Sequence, residues 1–374
     1  MTGVVSEPSG IPSPAQLARA AEDAAFAKAT GRPTASFLLG ITAGGYIALA
    51  FVFYTTSQVG AEALPWGVAK VLGGVVFSTG LMLVVLTGAE LFTSSTLTLT
   101  ARASGRITWS QLLRNWGVVY VANFLGALTV VALVYVGGTW HAADGGWGRV
   151  VLDTAVGKVS HPFLEALVLG VLCNLMVCVG VWAAYSGRTT TDKVLALTLP
   201  IALFVSAGFE HSVANMFLLP LALVLRGTAG AELGGDYTAL TWDAVVVGNL
   251  LPVTLGNVVG GGVMVGLMYW TIFSRPGRPP ASGPTGCATR RLPSSHRPTR
   301  RSVPLRGGAT SARRRRPPPA DGADGARGPT RARGRDGPVR RRRPRLPGPR
   351  RCRRPAPPAR GRRARPARRA AARR

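Results

Sequence analysis

Hydrophobic residues along this chain come in long runs, not in the alternation of strands or the one-sided stripe of a surface helix. Six segments suit a bilayer, roughly 36–54, 69–87 with a continuation to 100, 113–136, 163–185, 194–225 and 245–273. A spanning helix needs about 20 residues. A bilayer admits only helices or closed barrels, because lipid offers open backbone no hydrogen bonds. The period-2 alternation of barrel strands is absent. The pattern predicts an all-α integral membrane protein of six transmembrane helices.

The fifth segment is interrupted at its middle. Residues 208–216 read Gly-Phe-Glu-His-Ser-Val-Ala-Asn-Met between apolar runs at 194–207 and 216–225. Neither run reaches spanning length alone, so the segment reads as one helix broken at Glu210, His211, Ser212 and Asn215. Ionisable groups at that depth are costly and usually face a pore or substrate path. A channel or transporter is the class this implies.

The second segment carries a matching signal. Gly88-Ala89-Glu90 follows it, as Gly208-Phe209-Glu210 breaks the fifth. Asn115, Asn123 and Gly126 open the third segment with the same spacings as Asn249, Asn257 and Gly260 in the sixth. Two halves, 36–136 and 163–273, each hold three spans. An odd number forces opposite insertion, so an inverted 3+3 repeat with broken second and fifth helices is expected. Gly40/Gly44, Gly256/Gly260 and Gly262/Gly266 read as close-packing pairs of small residues, a structural role.

Charge divides the chain into two materials. Of 45 basic and 16 acidic residues, 33 arginines and three aspartates fall in 275–374. The high isoelectric point therefore belongs to the tail. Its Arg, Pro, Gly and Ala bury no core, and disorder is expected there. It fits a nucleic-acid or anionic-lipid tether, or a GC-rich stretch read out of frame, which lysine's absence favours. No nucleic-acid partner is expected unless the tail is genuine. Ten basic residues fall on one side of the spans (Arg19, Lys28, Arg32, Arg102, Arg106, Arg114, Arg188, Lys193, Arg275, Arg278), against Lys70, Arg149, Lys158 and Arg226 on the other. That bias places both termini in the cytoplasm, with residues 1–33 as a cytoplasmic segment lacking an apolar core. Cys173 and Cys178 fall within one apolar helix and read as packing residues.

Chemistry concentrates at the two breaks. A short helix starting near Ser212 would aim N-terminal amides at an anion. Glu210 would oppose that if it faced the pore, so it should turn toward neighbouring donors and hold the loop. His211 is the side chain at this depth that trades a proton near neutral pH; a lone membrane histidine is otherwise a satisfied packing residue. Thr93, in the second break, can offer its hydroxyl to an anion or to His211. Asn174, deep in the fourth span, must be paired and either lines the pore or bridges helices. Leu91, Phe92, Phe77, Leu81 and Phe204 could form apolar constrictions, although lipid contact or core is the plainer role for any one of them. Lys158 could draw anions into a vestibule, or be a solvated loop charge.

The runs at 88–109 (GAELFTSSTLTLTARASGRITW), 115–128, 161–188, 208–220 (GFEHSVANMFLLP) and 249–262 resemble the formate/nitrite transporter family. The resemblance covers 36–273, and LFTSSTLT after Glu90 looks most like the formate channels. It implies an aquaporin-like protomer in a homopentamer of the inner membrane, domain 34–274, carrying formate and protons among lipids and needing no cofactor. It also implies Thr93 and His211 as the central pair with Asn174 beside them. Leu91, Phe92 and Phe204 would then form an inner slit, Phe77, Leu81 and Val177 an outer slit, and Lys158 an outer vestibule. Nitrite, lactate or hydrosulfide would fit the same site chemistry. A water or glycerol channel is disfavoured because its paired Asn-Pro-Ala motifs are missing. An enzyme is disfavoured because 36–273 holds no metal-ligand cluster, nucleophile elbow or phosphate loop.

Overall fold

The computed structural model describes residues 10–274. Residues 1–9 and the arginine-rich tail lie outside them, and with them the expectations for the tail. The described chain is helical, with no strands among those residues. Six helices are long and apolar enough to cross a membrane. These are α2 (Pro33–Gln58), the nearly continuous pair α3 (Trp66–Phe77) and α4 (Thr79–Thr87), α7 (Trp109–Val136), α9 (Phe163–Ala184), α11 (Ser212–Leu233) and α12 (Ala244–Phe273). Shorter helices are α1 (Pro14–Thr30), α5 (Phe92–Ser95), α6 (Leu99–Ala103), α8 (Gly146–Val159) and α10 (Thr190–Ser206). Within α12 the backbone is π-helical over Ala244–Leu250 and Val258–Leu267.

One expectation is corrected. α11 runs to Leu233, well past 225, so at 22 residues it is long enough to span by itself. The polar, glycine-containing stretch after Leu225 continues the helix. Helix α1 forms in the segment without an apolar core. Its start is a capping box, with Ser13 accepting from Gln16 N–H and the Gln16 side chain accepting from Ser13 N–H. Its fully buried residues are Ala18, Ala21, Ala25 and Ala29, with Phe26 packed beside them. Alanines on one face give a weak hydropathy signal, yet they let α1 lie close against the body.

The two halves pack alike. α2 lies against α7, and α9 against α12. In each pair the backbones approach so closely that a side chain has no room. A Cβ on Gly44 would overlap the Asn123 carbonyl, and one on Gly256 the Leu167 carbonyl. The helices α4 and α10 both end in a glycine of positive φ, Gly88 at 74° and Gly208 at 76°. Glycine takes that conformation at low cost, which turns the chain out of the helix and toward the next one. The extended residues that follow, with Leu91 and His211 as N-caps of α5 and α11, carry the polar groups.

Candidate functional site

The two turns between helices are held by the same bonds at corresponding positions. In the first, Asn123 Nδ2 donates to the Gly40 carbonyl (2.8 Å) and the Glu90 carbonyl (2.9 Å), while its Oδ1 accepts from Phe92 N–H (2.8 Å). In the second, Asn257 Nδ2 donates to Gly170 O (2.8 Å) and Glu210 O (3.0 Å), and its Oδ1 accepts from Ser212 N–H (2.9 Å). Glu90 N–H reaches Leu39 O, as Glu210 N–H reaches Leu169 O. Buried backbone that has left a helix must find such partners. The repeated Asn spacing in the sequence is thus the signature of two carboxamide clamps, a role the sequence reading did not assign.

The glutamates are held in related ways. Glu210 Oε1 accepts from Lys158 Nζ at 2.6 Å, and Oε2 from Asn215 (2.7 Å) and Asn249 (3.1 Å). Asn249 also donates to the Lys158 carbonyl (2.9 Å). Glu90 Oε1 instead accepts from Ser36 Oγ (3.0 Å), and Oε2 from Asn115 (3.3 Å), which also reaches Lys28 O (3.3 Å). The Lys28 ammonium, on α1, comes within 3.4 Å of Ser94 Oγ. Burial pushes the Lys28 pKa down, and nearby Glu90 works against that shift. Glu210 therefore holds the turn, as expected of it. Lys158 is not a solvated loop charge. It sits on α8 with its charge committed to a fully buried carboxylate.

His211 and Thr93 meet between the halves, Nε2 to Oγ1 at 3.0 Å. The His211 Nδ1 accepts from Ala214 N–H (3.1 Å), capping α11. An Nδ1 that accepts carries no proton, so the ring is neutral with its hydrogen on Nε2, donated to Thr93 Oγ1. Thr93 then keeps its own hydroxyl hydrogen for another acceptor. The first amides of α11 are less available to an ion than the sequence implied, since Ser212 N–H is taken by Asn257 and Ala214 N–H by His211.

Asn174 bridges helices. Its amide donates to Thr93 O (3.0 Å), Thr96 Oγ1 (3.2 Å) and Asn257 O (2.6 Å), tying the α5 turn to α12. Cys178 lies one turn on and donates from Sγ to Thr93 O at 3.4 Å.

A cavity of about 490 Å³ opens above this centre. Lys158, Lys70, His161 and Asp153 line it together with Phe51, Tyr54, Phe77, Phe204, Phe209, Glu210 and His211. Beyond it is a space of about 10 Å³ among Ile47, Phe77, Leu81, Leu91, Val177, Ile201, Phe204 and His211. That volume holds at most one water. Phe77 and Phe204 meet edge to face at 6.0 Å between the two spaces. Phe77, Leu81, Leu91, Val177 and Phe204 all line the small space, and Phe77 and Phe204 border the large cavity as well. Phe204, from α10, pairs with Phe77 on the Lys158 side, and it stacks on the His211 ring at 5.8 Å. Leu81 and Val177 belong with Leu91 on the other side. Phe92 reaches neither space and packs on Tyr120 and Trp116 (4.9 and 6.5 Å). Among the described residues no group of three or more metal-ligating side chains occurs.

The family model for formate/nitrite transporters matches residues 15–271. The chain belongs to the formate/nitrite transporter family. It is 49% identical to the formate channel FocA of Escherichia coli over 269 residues, 70% of this chain and 94% of that protein. To FocA of Haemophilus influenzae it is 50% identical over 262 residues, 68% of this chain and 92% of that one. Among solved structures, a pentameric formate channel with formate bound aligns with a TM-score of 0.62 at 47% identity, covering 65% of this chain and 98% of its own. An FNT family ion channel aligns with a TM-score of 0.58 at 30% identity, covering 69% and 98%.

Proposed function

We propose that the chain conducts formate across the inner membrane as a homopentamer, with one path in each protomer. The similarity to formate channels over nearly their full length supports the substrate and the assembly. The observation that carries the path is the Thr93–His211 contact beside the cavity that Lys158, Lys70 and His161 line. The matched clamps of Asn123 and Asn257 support an inverted repeat about this centre. Basic residues concentrated on one side support cytoplasmic termini. On that reading the 490 Å³ cavity is the outer vestibule, Phe77 and Phe204 are its floor, and Leu81, Leu91 and Val177 form the inner constriction.

Formate enters as the anion, drawn by Lys70, which lines the vestibule without an ion-pair partner among the described residues. It passes the rings of Phe77 and Phe204 and meets the Thr93 hydroxyl. His211 holds that hydroxyl by donating from Nε2, so the threonine hydrogen is the one offered to a formate oxygen. Protonation uses the same pair. A proton taken up at Nδ1 displaces Ala214 N–H, and the Nε2 proton moves to Thr93 Oγ as the Thr93 hydrogen moves to formate. Formic acid then crosses the apolar constriction at far lower desolvation cost than the anion. Small weak-acid anions other than formate meet the same groups, so selectivity rests on the constrictions.

The test is uptake of radiolabelled formate into proteoliposomes holding the purified full chain. Uptake above protein-free vesicles, reduced by unlabelled formate more than by nitrite or lactate, is expected. Uptake equal to that of protein-free vesicles would reject the reading.

A further inference from the structure

The vestibule is larger and more aromatic than formate requires. Its volume of about 490 Å³ lies within the roughly 300–1,000 Å³ of sites that take drug-sized ligands. One wall is a chain of ring contacts, Tyr54 to Phe51 (5.3 Å), Phe51 to Phe77 (5.9 Å) and Phe77 to Phe204 (6.0 Å). All three contacts are edge to face, an arrangement that another ring can extend.

The charges of the cavity are unequal. The Lys158 ammonium is bound to Glu210 at 2.6 Å. His161 faces Glu165 at 2.8 Å. Asp153 lies beside Tyr237, and its carboxylate is the acidic group of the lining that has no ion-pair partner among the described residues. Lys70 has no carboxylate within ion-pair distance among the described residues; its ammonium lies 6.0 Å from the Trp66 ring. It stands on α3, two turns before Phe77, so both can face one cavity. The cavity therefore combines an aromatic wall, an unspent cation and a floor too tight for a ring.

We propose that this vestibule is a binding site for aromatic monoanions, with Lys70 as counter-ion and the Tyr54–Phe51–Phe77–Phe204 wall against the ring, and that its occupant blocks the formate path instead of crossing it. The blocking half of this rests on the functional reading above; the binding half does not.

Benzenesulfonate is the probe, because it stays ionised and is not carried through as a neutral acid. Methanesulfonate lacks the ring and benzenesulfonamide lacks the charge. Binding to the purified full-length protein is measured by calorimetry, and block by formate uptake with each probe on either side of the vesicles. Each variant's uptake without probe is its own baseline. Benzenesulfonate is expected to bind and block better than both controls, from one side only. Lys70→Gln should weaken its binding about fivefold, the loss of one partly exposed ion pair, and Lys70→Arg should restore it. Equal binding by all three probes, or unchanged benzenesulfonate affinity in Lys70→Gln, would overturn the proposal. Benzenesulfonate binding that depends on Lys70 in a protein without formate uptake would uphold the site and reject the transport reading instead.

Discussion

Asn123 and Asn257 make the same three hydrogen bonds, each closing one turn out of a helix and starting the next. Each carboxamide satisfies two carbonyls and one amide that would otherwise be buried without partners. Asn→Asp at either position keeps the acceptor and removes both donations, at about 1–3 kcal/mol for each orphaned carbonyl. Asn123→Asp and Asn257→Asp are expected to lower the thermal midpoint in detergent by similar amounts. A large loss in one and none in the other would break the equivalence of the halves.

The apolar residues around the two spaces lead to a second expectation. Phe204→Ala removes one ring of the edge-to-face pair and the His211 stacking surface, and opens the floor of the Lys158 cavity. Leu91→Ala widens the small space on the other side. Apolar constrictions hold back hydrated ions by dewetting. Each substitution should raise lactate uptake relative to formate, and the pair together should do so more than either. Unchanged selectivity in both variants would mean these side chains serve only packing.

Much of this was legible in the sequence. Six spans, two interrupted segments and the Thr93, His211 and Glu210 positions follow from hydropathy, helix breakers and rare polar residues at depth. The doubled Asn spacing announced the repeat but not its use, since a carboxamide that closes a turn and one that lines a pore look alike in one dimension. The Lys158–Glu210 pair was hidden because its members lie 52 positions apart on different elements. The His211 tautomer was hidden because it depends on where Ala214 N–H points. Helix α1 escaped because its fully buried residues are all alanines.

Asp192 supplies a pH test away from the membrane. Its carboxylate accepts from Thr189 N–H and Arg188 N–H at the start of α10, and these bonds hold its pKa below the usual carboxylate value. A depressed folded pKa gives stability that is present above the unfolded value of about 3.9 and lost as pH falls through the folded one. Asp192→Ala should thus melt below the parent at neutral pH, with the gap closing under acid. A gap that stays constant down to pH 3 would assign the effect to something other than this titration.

The six spans and the family match both end before 275. We expect truncation after Ser274 to leave insertion, pentamer formation and formate uptake unchanged, as measured by native mass spectrometry and vesicle flux. Lost assembly or flux in the truncated protein, with the full chain active alongside, would make the arginine-rich tail a working part.

His211→Asn separates the two roles given to the histidine. Asparagine is a good N-cap, so Ala214 N–H keeps a partner and α11 keeps its start. The shorter side chain loses the reach to Thr93 and cannot titrate. In the parent, formate uptake should rise as pH falls, because acid supplies the proton that enters at Nδ1 and leaves through Thr93. In His211→Asn the vesicles should still pass formate as an anion, seen as a current, while uptake no longer climbs with acid. Thr93→Val should also flatten the pH response, since it breaks the same relay one step later, and it should weaken formate passage by removing the hydroxyl offered to the anion. Full pH-dependent uptake in His211→Asn would end the proton-relay mechanism and leave His211 as the group that only orients Thr93.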